Sequence, residues 1–184
     1  MYDPVFNSNF SLRNHETRWW NGGEPLWVTA RCQNRTSATY FWDGNDTGHA
    51  FGADSLQTKD KVKDMDEMLG YLLDKFDSHN LWNKVNLLVT SDHGMTTIDT
   101  TNKVVDIADR VDMSKIQFTV DNGPIMQVQP TLGQIDNVVR SLRNVSHISV
   151  LMKEEIPDYW HFKNNRRIMP VFLLAQEGGG LSQR

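Results

Sequence analysis

The chain has 184 residues, enough for one domain with its own hydrophobic core. Its 39% hydrophobic and 23% charged residues exclude a disordered or low-complexity protein, and a net charge of -4 argues against a basic nucleic-acid-binding surface. No apolar run reaches the length of a membrane span, and residues 1–11 carry neither a basic start nor an apolar stretch, so no signal peptide is expected in this chain.

The single cysteine, Cys32, excludes an internal disulfide framework and reads as a small hydrophobe rather than a reactive thiol. Four glycosylation sequons begin at Asn9, Asn34, Asn45 and Asn144. Such motifs arise by chance, but four in this length lean toward a secretory-pathway glycoprotein. That conflicts with the lack of a signal peptide unless the chain is incomplete, which is the expectation adopted.

In chain order, residues 25–31 and 38–42 are short β-prone runs separated by a polar loop that holds Cys32 and Asn34. Residues 54–78 form the clearest helix: Val62, Met65, Leu69, Leu72, Leu73 and Phe76 recur at three- and four-residue steps. Residues 85–90 are a near-continuous apolar run of strand length, as in a parallel strand buried on both faces. Strands are predicted at 116–120 and 125–129 around an Asp-Asn-Gly-Pro turn. A second helix is marked by Leu132, Ile135, Val138, Val139 and Leu142, and strands follow at 148–152 and 168–175. This alternation predicts an α/β fold with a layered sheet flanked by helices.

Two constellations carry candidate chemistry. Asp92 and His93 follow the apolar 85–90 run, and α/β sheets place ligands at the C-terminal ends of their strands. Carboxylate and imidazole are both zinc ligands, although a polar turn explains the same residues. Asp46 and His49, in Asn45-Asp46-Thr47-Gly48-His49, follow the second β-prone run and read equally as a surface loop. Taken together, two aspartates and two histidines on two loops could converge on a metal pair that clamps a phosphoryl group. His15, His79, His147 and His161 lack companion ligands and read as structural or exposed. The six tryptophans read as packing aromatics, with a nucleobase clamp as the alternative.

Several stretches stand in order along the chain. They are Met1-Tyr-Asp-Pro-Val-Phe-Asn, Trp19-Trp20-Asn-Gly-Gly-Glu-Pro-Leu-Trp27-Val-Thr, Gly48-His49-Ala-Phe-Gly52, Thr90-Ser-Asp92-His93-Gly-Met95 and Asn164-Asn165-Arg166-Arg167-Ile168-Met-Pro170. As a set they closely resemble the ectonucleotide pyrophosphatase/phosphodiesterase family of the alkaline-phosphatase superfamily. The resemblance implies an alkaline-phosphatase-like α/β fold and two zinc ions held by Asp and His residues. It also implies a threonine nucleophile, and an extracellular or cell-surface enzyme acting on nucleotides or related phosphodiesters. Asp92 and His93 match ligands of the zinc that activates the nucleophile, and His49 matches a ligand of the other zinc.

The departures from the family pattern are equally specific. The resemblance implies that the nucleophile, a further ligand Asp and a phosphate-holding Asn precede the Met-Tyr-Asp-Pro stretch, and that the last His ligand follows residue 184. It also implies an internal deletion after Phe41-Trp42-Asp43-Gly44. The family's ligand Asp stands four residues before the His. Asn45 holds that position here, so Asp46 is a ligand only if the loop shifts register. The expectation is therefore one partial catalytic domain over residues 1–184, inactive by itself, with a non-catalytic binding or regulatory relative as the alternative. A sulfatase-like hydrolase is disfavoured, because Cys32 is not in a sulfatase-like setting.

Overall fold

The computed structural model describes residues 1–11, 13–39 and 47–183. The chain divides into two compact units, one of Met1–Thr39 with Ile98–Arg184 and one of Tyr40–Thr97.

The first unit is built on a four-stranded antiparallel sheet. Strand β1 (Tyr2–Asp3) pairs with β2 (Ser8–Asn9) near the start of the chain, and helix α1 spans Leu26–Cys32. In the second unit, α2 spans Thr47–Phe51 and α3 spans Leu56–Ser78. The first unit resumes with β3 (Val104–Asp106), β4 (Ile116–Val120), β5 (Ile125–Pro130), helix α4 (Ile135–Leu142), β6 (Ile148–Met152), β7 (Val171–Ala175) and β8 (Gly180–Ser182).

The main sheet has the order β4-β5-β7-β6. The β4–β5 turn places Asp121 (φ 68°) and Gly123 (φ 130°) in the left-handed region, which Asp and above all Gly tolerate. Both β5 and β6 run antiparallel to β7, so they are parallel to each other, with α4 as the crossover and β7 filling the slot between them. Alternation along β7 explains the two cores. Val171 and Leu173 join Met126, Val128, Val138 and Leu142 on the α4 side, while Phe172 packs with Ile156 and Ile168 on the other. A parallel pair, β3 with β8, adds Val105 and Leu181 to the first core.

The second unit contains the long helix. The Ser55 hydroxyl caps α3 by accepting the Thr58 backbone N–H at 3.1 Å, and Thr58 donates its own hydroxyl to the Gly52 carbonyl at 2.8 Å. Phe76, the buried end of the apolar stripe, packs its ring against Trp82 at 5.1 Å.

The structure confirms the expected strands at 116–120, 125–129 and 148–152, the core of the strand at 168–175 and both helices. The α4 helix starts later than its apolar pattern, since Gly133 at φ 74° breaks the backbone and leaves Leu132 fully exposed.

Three expectations are corrected. Residues 25–31, read as a β-prone run, are helical from residue 26, and the helix extends to Cys32: Pro25 supplies the extended N-cap, and the Thr29 hydroxyl donates to Glu24, which holds the first turn. Residues 38 and 39 are not in a strand, and 40–42 lie outside the described residues. Residues 85–90 are not in a ladder, and Leu88 is 74% exposed. An apolar run becomes a buried strand only where neighbours satisfy its backbone, and among the described residues none pairs with it.

Candidate functional site

In the second unit, α2 carries His49, and the segment after residue 90 carries Asp92 and His93. Two contacts draw that segment toward the helices. Gly48 is buried, and the Met95 thioether lies where a side chain at residue 48 would stand. Thr97 donates its hydroxyl to the Asp54 carboxylate at 2.7 Å. The result brings the His49 and His93 rings to 5.9 Å between centroids, at an interplanar angle of 63°.

The turn at 91–94 is held by its own polar groups. The Asp92 Oδ1 accepts the His93 backbone N–H at 2.9 Å, and the Ser91 hydroxyl donates to the His93 carbonyl at 2.7 Å. His93 Nδ1 lies 2.7 Å from the Gly94 carbonyl. A carbonyl can only accept, so Nδ1 carries a proton, and in the neutral ring Nε2 then presents a lone pair. Metal-bound histidines typically have this arrangement. The Asp92 Oδ2 stands 3.6 Å from that Nε2. That is too long for a hydrogen bond and close to the roughly 3.4 Å that separates two ligands of one tetrahedral zinc.

These donors fit zinc in chemistry and spacing, but they do not complete a site. Among the described residues no group of three or more His, Cys, Asp or Glu side chains closes on one point. Asp46 lies outside the described residues. The expectation that Asp92 and His93 leave the end of a buried sheet strand is corrected: they follow an exposed, unpaired segment. Of the other histidines, His79 caps the end of α3, with Nδ1 3.0 Å from the Lys75 carbonyl, while His147 and His161 occupy left-handed turn positions.

One constellation escaped the sequence reading. In the first unit, Asp3 is fully buried and accepts hydrogen bonds from Arg166 (2.8 and 3.2 Å), from Arg167 (2.6 Å) and from the backbone N–H groups of Val5 and Phe6. Phe6 meets the buried Trp19 edge-on at 5.3 Å, and the Arg167 guanidinium lies 5.4 Å from the Trp19 ring. Burial by itself would raise the Asp3 carboxyl, but the two guanidiniums and two backbone N–H groups outweigh it. They hold the carboxyl well below the usual carboxylate range. The only sequence signal was an acid set among Tyr2, Pro4, Val5 and Phe6, far in the chain from an Arg-Arg pair.

The family model for type I phosphodiesterase / nucleotide pyrophosphatase matches residues 1–47 and 43–181. The chain therefore belongs to that family, and its fold is alkaline-phosphatase-like α/β. The two matched segments meet at residues 43–47, where the internal deletion was expected.

Among similar proteins, bis(5'-adenosyl)-triphosphatase enpp4 of Xenopus laevis is 28% identical over 235 residues, covering 100% of this chain and 51% of the relative. Human ectonucleotide pyrophosphatase/phosphodiesterase family member 5 is 27% identical, covering 100% of this chain and 49% of the relative. The chain thus spans about half the length of the curated relatives it matches. An alignment of 235 residues against a chain of 184 leaves residues of the relative without counterparts inside the matched span. Two solved structures of murine family member 5 also match. One has a TM-score of 0.79 at 28% identity, and the other, an inactive form in complex with AMP, has 0.80 at 27%. Each match covers 100% of this chain, and the first covers 63% of the solved one. No described helix is long and apolar enough to cross a membrane.

Proposed function

We propose that the protein carrying this chain hydrolyses phosphodiester or pyrophosphate bonds of nucleotides or related phosphodiesters, with zinc as its cofactor and His49, Asp92 and His93 among the ligands. Asp46 is the next candidate donor. Water adds across a P–O bond, leaving a phosphate monoester and an alcohol or a second phosphate. The observation that carries this reading is the convergence of His49 on the Asp92–His93 pair, with the His93 tautomer set to present Nε2. Zinc bound there would polarise phosphoryl oxygens and lower the pKa of a coordinated nucleophile. The chain's own contribution is to hold the His49 and His93 imidazoles near each other, through the Gly48–Met95 and Asp54–Thr97 contacts, with Asp92 beside His93.

AMP in the complex of murine family member 5 supports a nucleotide substrate. Exposed sequons at Asn9, Asn34 and Asn144, together with the ectoenzyme relatives, support a glycosylated, extracellular or cell-surface protein.

A nitrophenyl nucleotide ester tests the reading. Zinc-dependent release of nitrophenol by the full-length protein is expected, falling by at least about two orders of magnitude in His93→Ala. Turnover unchanged by that substitution would defeat the assignment. The second reading, a non-catalytic relative, is favoured by Asn45, a neutral donor in the position where the resemblance implies a ligand aspartate. It predicts no turnover at any zinc concentration.

A further inference from the structure

Asn21, Gly22, Asn164, Asn165, Arg166 and Arg167 line a pocket of about 290 Å3 in the first unit. This is the low end of the volume range for small-molecule sites, too small for a whole dinucleotide but ample for one small polar ligand.

Its charge follows from the Asp3 knot. Arg166 donates Nε and Nη2 to Asp3, while Arg167 donates Nε to Asp3 and Nη1 to the Trp19 carbonyl. Each guanidinium has five N–H donors in a fixed fork. Among the described residues, neither the Arg166 Nη1 nor the Arg167 Nη2 has a protein hydrogen-bond partner, and Asp3 is the one carboxylate within 4.0 Å of either group. Two guanidiniums against one buried carboxylate leave one positive charge uncompensated. Lys153, outside the pocket lining, donates its ammonium to the carbonyl of the lining residue Asn165 at 2.8 Å.

The wall is also preorganised. Asn165 accepts the Arg167 backbone N–H on its side chain at 2.9 Å, and the Arg166 guanidinium lies 5.2 Å from the Phe6 ring. Donors already held in place lose little conformational freedom when a ligand arrives.

We propose that this pocket binds a small oxyanion of the phosphate class. The Arg166 and Arg167 outer edges supply charge-assisted donors, and the Asn21 and Asn164 amides complete the shell. The site uses none of the residues of the histidine constellation, so the two assignments stand or fall separately.

Hydrogen exchange on the full-length protein, with inorganic phosphate as the probe and potassium chloride at matched ionic strength as the control, tests the proposal. Peptides spanning 19–23 and 164–168 are expected to exchange about tenfold more slowly at phosphate ten times above Kd, and to be unchanged in chloride. Asn164→Asp places a carboxylate in the pocket without touching the Asp3 contacts. It is expected to abolish the slowing while peptides spanning 1–6 keep their own protection, which shows that the knot is intact. No slowing in the unsubstituted protein, equal slowing in chloride, or equal slowing in Asn164→Asp would each overturn the site.

Discussion

Replacing Asp3 by alanine is expected to cost about 3–5 kcal/mol, the range found when one partner of a buried ion pair is removed. The carboxylate is fully buried, and the Arg167 side chain that pairs with it is only 14% exposed. Its loss leaves guanidinium groups facing a desolvated void and strips two backbone N–H groups of their acceptor. The urea midpoint of the first unit, followed by exchange in the β5 and β7 peptides, reads the cost directly. A loss below about 1 kcal/mol would mean that the knot is ornamental.

The same group sets an acid limit. Its folded carboxyl titrates well below the ordinary value of 3.8, so the folded state binds fewer protons than the unfolded state in that interval. The contribution is complete above pH 3.8 and drains away as the pH falls toward the folded value. Asp3→Ala should flatten that part of the stability profile.

Residues 86–90 are expected to exchange their backbone hydrogens within about tenfold of an unstructured peptide, while β7 approaches the global stability of its unit. The contrast is built from comparable sequences. Residues 85–90 and β7 are both apolar runs, yet β7 is laddered on both sides, to β5 and to β6, whereas 85–90 has no strand partner among the described residues. Protection at 85–90 equal to that of β7 would contradict the structure there and would require a strand partner.

Those two runs mark the limit of what was legible in the sequence. Two short β-prone runs on either side of an Asp-Asn-Gly-Pro turn identify β4 and β5, because that signal is local and each strand finds its first partner across the turn. Helix α3 is legible for the same reason: its stripe and its Ser55 cap lie within the segment. The helix over the run read as β-prone at 25–31 was not, since the β-preference of Val28 and Thr29 is weak and yields to the start signal at Pro25. The apolar run at 85–90 was read as a strand on the assumption that neighbours exist, and neighbours are not a local property. The Asp3 knot joins residue 3 to residues 166 and 167, and no spacing rule connects them. At the candidate site, spacing left Asp92 and His93 ambiguous with a polar turn. The ordered family motifs favour the ligand reading, and the His49 and His93 rings stand 5.9 Å apart.

Zinc content is the measurement that bears most directly on this account. The full-length protein, dialysed against metal-free buffer and analysed by mass spectrometry, is expected to retain zinc. Asp92→Asn and His93→Ala should each lower the zinc retained, with the Asp3 knot unaffected. A protein that holds no zinc, or whose zinc is indifferent to both substitutions, would contradict the assignment of these residues as ligands.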